Sequence, residues 1–129
     1  MFGGIKRDAT DALFSDLVRA KASWRCERCH KDYSERRQGL HCSHFFGRGN
    51  KAVRWEPENA SALCFYCHKV LGENPNDHRD FFIKRLGEER YNALVLKAKL
   101  PRKEKVDVKM LRLWLKQEIK KVGQVKSDN

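Results

Sequence analysis

Four of the five cysteines in this 129-residue chain occur as two pairs with the same internal spacing. Cys26 and Cys29 form one Cys-X-X-Cys motif, and Cys64 and Cys67 form a second one that begins 35 residues after Cys29. Two such pairs are typical of a tetrahedral four-thiolate zinc site, because each tight turn presents two sulfurs to one ion. We therefore expect a structural Zn²⁺ here, with no open coordination position for chemistry.

The segment between the two pairs contains residues that can carry out acid–base chemistry. His41 and His44 lie three positions apart in the run Leu-His-Cys-Ser-His. Asn59 follows 15 residues after His44, and His68 comes nine residues after Asn59. A neutral imidazole accepts a proton near pH 7, because its unperturbed pKa is about 6.5. Cys42, the fifth cysteine, is expected to be a small buried hydrophobic residue.

The order and spacing of His44, Asn59 and His68 resemble the pattern that names the HNH nucleases, also called the ββα-metal or His-Me finger family. The run CSHFFGRGNKAVRWEPENASALCFYCHK looks like the phage branch of that family, including the NinG/Rap recombination type. The resemblance covers about residues 24–97. It implies an α+β fold in which a small ββα-metal core with the four-cysteine zinc site is flanked by an N-terminal helix and C-terminal helices.

The resemblance also implies a role for each matching residue. His44 matches the general base that takes a proton from the attacking water, and His68 matches a ligand of a catalytic Mg²⁺ or Mn²⁺. Asn59 matches the loop residue that ties the hairpin together and orients the base. The residue before the base is usually Asp or His, but here it is Ser43, a poor ligand for a hard dication. Either His41 supplies the missing ligand or Ser43 acts through a bound water.

The charge of the chain indicates a polyanionic partner. The net charge is +11 and the pI is near 9.7, and Lys and Arg side chains bind nucleic acid by releasing counterions from phosphates. Residues 97–121 contain ten Lys or Arg against three Asp or Glu, which is +7 of that total. Arg48, Lys51 and Arg54 are the candidate phosphate contacts near the histidines, although a solvated turn is an equally good interpretation for Arg48. The expected partner is DNA, duplex or branched.

The elements that position these residues follow from hydrophobic spacing and caps. A first helix is predicted from Asp8 or Thr10 to Ala22. Two strands, residues 38–46 and 52–55, are predicted to pair across the turn at residues 47–50. A short helix is then predicted to begin just after Asn59 and to carry Leu63 to Val70.

Beyond Gly72 the chain is predicted to be helical. Asn76 or Asp77 is expected to cap a segment that ends at Gly87, and residues 88–99 form another helix. Pro101 breaks the pattern, and Asp107 is expected to cap a last amphipathic helix. The predicted division is a nuclease domain at residues 1–100, followed by a basic helix and tail at residues 101–129.

Taken together, these features predict a metal-dependent HNH endonuclease that hydrolyses DNA phosphodiester bonds in phage DNA recombination or processing. The alternative is a non-catalytic zinc-ribbon module that only binds DNA, with Ser43 marking a decayed metal position. The absence of a secretory leader and of a run of about 20 apolar residues predicts a cytoplasmic protein that is not inserted in a membrane. Either a monomer or a homodimer fits the sequence.

Overall fold

The computed structural model describes residues 7–100 and 105–127. Along the chain, the described helices and strands are α1 (Ala9–Lys21), β1 (Leu40–His44), β2 (Ala60–Cys64), α2 (Phe65–Glu73), α3 (Pro75–Leu86), α4 (Glu88–Lys99) and α5 (Val108–Ser127). The fold is therefore α+β, as the sequence predicted. None of the helices in these two ranges is long and apolar enough to cross a membrane.

Helix α1 begins where a reciprocal pair of side-chain hydrogen bonds satisfies its first free amides. The backbone N–H of Asp11 donates to the Asp8 carboxylate, and the backbone N–H of Asp8 donates to the Asp11 carboxylate, both at 2.9 Å. This is a capping box, and it confirms the predicted start at Asp8. The buried side chains of Phe14 and Leu17 then direct one face of α1 toward the sheet.

The two strands form an antiparallel sheet without a bulge. Leu40 pairs with Cys64 and His44 with Ala60, and every residue between them has a partner. Successive side chains in β1 therefore point to opposite faces of the sheet. The ring of His44 contacts Phe14 of α1, whereas the ring of His41 stacks on a side chain of α2. Helix α1 thus covers one face of the sheet and α2 covers the other.

The predicted second strand at residues 52–55 is wrong. Those residues form turns, and the strand that pairs with β1 is Ala60–Cys64. Both faces of β2 are covered, and all five of its residues are buried. Its small side chains at positions 60–62 suit close packing between two helices, but they give little alternation for a sequence pattern to detect.

The helix predicted to start just after Asn59 begins later, at Phe65, because residues 60–64 belong to the sheet. Cys64 caps it by accepting a hydrogen bond from the backbone N–H of Cys67. Helix α3 starts at Pro75, before the predicted caps at Asn76 and Asp77. Helix α4 has the predicted bounds, and the predicted break at Pro101 lies outside the described residues.

Helix α5 packs along α1 and belongs to the main hydrophobic core. Asp107 accepts a hydrogen bond from the backbone N–H of Met110, which confirms the predicted cap. Leu115 is fully buried in the same cluster as Phe14 and Leu17. A second, smaller cluster joins the loop after β1 to α3 and α4 through Val53, Phe82, Leu86 and Leu94.

Candidate functional site

The four paired cysteines form one cluster. Their Sγ atoms all lie within 4.8 Å of one another, and those of Cys29 and Cys64 are 3.9 Å apart. A tetrahedral zinc ion with Zn–S bonds of about 2.3 Å separates its sulfurs by about 3.8 Å, so the donor set fits such an ion. Three of the four cysteines are buried, and Cys29 is exposed. The cluster joins the turn at residues 26–29 to the end of β2 and the start of α2, and it can hold a metal ion such as zinc.

Hydrogen bonds to the sulfurs also favour thiolates. The backbone N–H groups of Cys29 and Cys67 donate to the sulfurs of Cys26 and Cys64, and the Arg28 guanidinium donates to Cys67 at 3.4 Å. Burial raises the pKa of Cys64, but hydrogen bonds from Cys67 and the other thiols lower it to about 7. Burial and the neighbouring thiols raise the pKa of Cys67 to about 12. A dication among the sulfurs would allow all four to ionise together.

His44 is the last residue of β1, and its ring is fixed from two sides. Its Nε2 lies 3.2 Å from the carbonyl oxygen of Arg54, and its ring centroid lies 5.5 Å from that of Phe14. A carbonyl can only accept, so Nε2 carries the proton of the neutral ring and Nδ1 keeps its lone pair. Burial lowers the pKa of His44, and the nearby positive charge of Arg48 lowers it further. The imidazole is therefore held neutral at pH 7.

Asn59 ties together the loop that follows β1. Its side-chain oxygen accepts a hydrogen bond from the backbone N–H of Phe46, and its amide nitrogen donates to the carbonyls of Phe46 and Val53. The side chain is fully buried, so these bonds have no competition from water. Asn59 therefore holds Phe46 and Val53 of this loop in place.

His41 and His68 lie together on the α2 face of the sheet, away from His44. Their rings are stacked, with centroids 5.7 Å apart and planes 13° from parallel. The Nδ1 atom of His68 is buried without a hydrogen-bond partner. Ser43, on the same face by strand alternation, is buried opposite Ser61.

His78 lies near the start of α3 and is half-buried. Its ring packs against Phe45 and Phe82, at 5.2 and 5.3 Å between centroids, and its Nε2 is buried without a partner. Burial lowers its pKa, and the nearby His68 lowers it further. Even so, among the described His, Cys, Asp and Glu side chains, only the four cysteines bring three or more ligand atoms close enough for one ion.

The three candidate phosphate contacts lie in different environments. Lys51 is exposed, and the side chain of Arg48 is 33% exposed, so both can reach a ligand. The side chain of Arg54 is only 11% exposed, and its guanidinium is paired with Asp11. The positive charge of Arg54 is therefore neutralised by Asp11 within the protein, and Arg54 is not free to bind a phosphate.

Asp11 is the site residue that the sequence did not reveal. Its carboxylate accepts hydrogen bonds from the Arg54 guanidinium and from the Trp55 indole N–H, at 3.0 Å for the latter, and it lies 3.8 Å from a guanidinium nitrogen of Arg48. Burial raises the pKa of Asp11, but these hydrogen bonds outweigh it and lower the pKa to about 2. In the sequence, Asp11 looks like an ordinary acidic residue in the first turn of a helix. Its partners Arg48, Arg54 and Trp55 lie more than 35 residues away along the chain.

The remaining predictions concern single side chains. Cys42, predicted to be buried, is partly buried and packs against the core, and burial raises the pKa of its thiol to about 11. Trp55 also packs against the core. His30, directly after Cys29, is exposed. Comparison with protein families, with curated proteins and with solved structures finds no match for this chain.

Proposed function

We propose that this protein is a divalent-metal-dependent endonuclease of the HNH type that hydrolyses DNA phosphodiester bonds. The hydrogen bond between His44 Nε2 and the Arg54 carbonyl carries the proposal, because it fixes the tautomer of the neutral ring, with the proton on Nε2 and the lone pair on Nδ1, while burial lowers the pKa and keeps the ring neutral. A general base requires that protonation state at the working pH. The HNH resemblance gives the same residue that role, and it gives DNA as the substrate.

In the proposed reaction, side chains of this protein activate the attacking water and bind the phosphate. Nδ1 of His44 takes a proton from a water whose oxygen bonds to phosphorus as the bond to the leaving 3′ oxygen breaks. Arg48, partly exposed beside His44, binds the phosphate oxygens through its planar guanidinium. Arg54 and Asn59 position these groups by holding the loop and do not contact the substrate.

A catalytic divalent ion would be held by residues on the α2 face of the sheet, opposite His44, so a phosphate that meets both the ion and His44 would lie past the end of β1, where His44 is the last residue. The buried, unpartnered Nδ1 of His68 is a candidate ligand, with His41 beside it and Ser43 on the same face. The ion would offset negative charge on the phosphate, and waters would complete its coordination. Imidazole donors suit Mn²⁺ and other transition ions better than Mg²⁺, which prefers oxygen ligands.

The cysteine cluster has a separate, structural role in this proposal. A Zn²⁺ ion bound by Cys26, Cys29, Cys64 and Cys67 has no open position, so it stabilises the fold and performs no chemistry. It joins the turn after α1 to the end of β2 and to the start of α2. Because α2 carries His68, the ion fixes the α2 side of the site.

The test is cleavage of supercoiled plasmid with added Mn²⁺, with added Mg²⁺ or with no added divalent ion. Omitting the ion is preferable to adding a chelator, which would compete for the structural zinc. The proposal predicts nicking that needs the added ion and that is faster with Mn²⁺. A protein that binds plasmid and single-stranded DNA but cleaves neither with any divalent ion contradicts it.

One observation favours a second function, a zinc-ribbon module that binds DNA without cutting it. Ser43 is a weak ligand, and the described His, Cys, Asp and Glu side chains form no second group of three ligand atoms. The two proposals differ in metal content. The module binds one zinc ion per chain, whereas the nuclease also takes up a weaker Mn²⁺ ion, which calorimetric titration of the zinc-loaded protein would detect.

A further inference from the structure

Two adjacent aromatic side chains at the start of α2 are the most exposed large hydrophobic residues among those described. Phe65 is 65% exposed and Tyr66 is 69% exposed. Most other aromatic side chains are buried in the two hydrophobic clusters or packed against them. Two adjacent exposed aromatic residues are therefore unusual in this fold. A single exposed apolar side chain needs no explanation, but two together form a flat apolar surface.

The backbone beneath this pair is fixed. Phe65 and Tyr66 occupy the two positions between Cys64 and Cys67, whose sulfurs both belong to the metal-binding cluster. The backbone N–H of Cys67 donates to the Cys64 sulfur, which closes the first turn of α2 around them. The two rings therefore cannot withdraw into the core, and ligand binding costs little further ordering of the backbone.

The pair continues into further rings on one side and has a basic side chain, Arg28, beside Tyr66. The ring of His41 lies 6.1 Å from that of Phe65 and is stacked on His68. Arg28, hydrogen-bonded to the Cys67 sulfur, is close enough to interact electrostatically with Tyr66. Two further basic side chains, Lys31 and Arg36, lie 5.6 and 6.0 Å from the ring of Tyr33, whose hydroxyl is close enough to interact electrostatically with Cys64.

Flat rings beside cationic side chains match the chemistry of a single-stranded nucleic acid, whose bases stack on aromatic rings while its phosphates bind cations. In a duplex the base faces are covered by their neighbours, so only unpaired bases can use this surface. An apolar protein partner fits less well, because the rings are bordered by positive charge and the chain carries a net charge of +11.

We infer that Phe65 and Tyr66 form a stacking platform for unpaired bases, and that the substrate of the proposed nuclease contains a single-stranded segment, as in a flap or a branch point. This inference rests on the proposed DNA-cleaving function and selects among its substrates. The platform lies on the α2 face, with His41 and His68, so a strand stacked there passes the candidate ion ligands.

The experiment measures equilibrium binding by fluorescence anisotropy, without added Mn²⁺ or Mg²⁺ so that the DNA stays intact. The zinc-loaded full chain is titrated into a labelled 20-nucleotide single strand and into a blunt duplex of the same sequence. The variants are Phe65→Ala, Tyr66→Ala, the double variant and Tyr66→Phe, which keeps the ring. Leu96→Ala is the control, because Leu96 is another exposed large hydrophobic residue, on α4 and outside the basic segment at residues 97–121.

Each stacked base contributes about 1–3 kcal/mol, so each alanine variant should bind the single strand about 5- to 150-fold more weakly. Duplex affinity should change less than about threefold, and Tyr66→Phe and Leu96→Ala should bind like wild type. Zinc content confirms that each variant is folded. A uracil with a photoreactive 5-iodo group should crosslink to the platform residues.

Two results would overturn the inference. If the double variant binds the single strand as tightly as wild type does, or loses duplex affinity to the same extent, Phe65 and Tyr66 do not stack unpaired bases. In that case the nuclease proposal stands, because duplex binding and cleavage are measured separately. If wild type binds neither DNA, the platform and the proposed function fail together.

Discussion

The carboxylate of Asp11 accepts two hydrogen bonds from the guanidinium of Arg54, at 3.1 Å from Nε and 2.5 Å from Nη2. These residues lie 43 positions apart, and the pair joins the first turn of α1 to the loop after β1. The carbonyl of Arg54 in turn lies against Nε2 of His44. Asp11 therefore acts on the candidate general base through Arg54, as a positioning residue.

A double-mutant cycle tests the link between Asp11 and Arg54. Asp11→Asn and Arg54→Gln should each lower the free energy of unfolding by about 3 kcal/mol, because each leaves a largely buried charge without its partner. The double variant should lose about 2 kcal/mol less than the sum of the two. The measurement is urea unfolding of zinc-loaded protein at pH 7, where a carboxyl with a pKa of about 2 is ionised. Additive losses would contradict the direct pairing.

The tie made by Asn59 gives a second prediction. Asn59→Ala removes three buried hydrogen bonds to the loop and should cost about 3 kcal/mol of unfolding free energy. It should also slow cleavage, because the same loop carries the Arg54 carbonyl that fixes His44. Asn92→Ala on α4 is the control, since Asn92 is exposed. If Asn59→Ala and Asn92→Ala have the same free energy of unfolding, Asn59 does not have the structural role assigned to it.

The role of the cysteine cluster is tested by comparing two cysteine substitutions. Cys64→Ser should reduce zinc content from one ion per chain to well below one and should lower the melting temperature, because one of four ligands is lost. Cys42→Ala should keep its zinc, since Cys42 lies outside the cluster. Elemental analysis and thermal unfolding measure the two effects. Zinc retained at one equivalent in Cys64→Ser would contradict the four-thiolate site.

The protonation of His44 predicts the pH dependence of cleavage. A general base works only when unprotonated, so the rate should rise with pH through the pKa of His44 and level off above it. Burial and the neighbouring Arg48 lower that pKa, so the midpoint of the rise should fall below pH 6.5. Arg48→Ala removes one lowering charge and should move the midpoint up, whereas Lys51→Ala should leave it unchanged. A wild-type midpoint at or above pH 6.5 contradicts this assignment.

Local signals in the sequence predicted much of the fold. The cap at Asp8, the bounds of α4 and the cap at Asp107 depend on residues within a few positions of one another, and the structure has all three. Each cysteine pair is likewise a pattern of neighbouring residues, and the two pairs meet in one cluster. The second strand was missed because Ala60–Cys64 is buried on both faces and lacks the alternation of a half-buried strand.

The candidate site was harder to predict, because its geometry depends on contacts that are distant in sequence. Because His41 and His44 are three positions apart in β1, strand alternation puts His44 on the α1 face and His41 on the α2 face. The pairing of Arg54 with Asp11 could not be read from either residue's neighbours. The burial of His78 depends likewise on Phe45, which reaches α3 from the end of β1.

The central claim is that His44 is the general base of a DNA-cleaving site. Its most direct test is the single-turnover cleavage rate of His44→Ala at saturating protein, with Mn²⁺, on a DNA that wild type cleaves, alongside the exposed-histidine control His30→Ala. The claim predicts a rate about 10²- to 10⁴-fold lower for His44→Ala, with DNA affinity and zinc content unchanged, and a wild-type rate for His30→Ala. A His44→Ala rate within about threefold of wild type would contradict it.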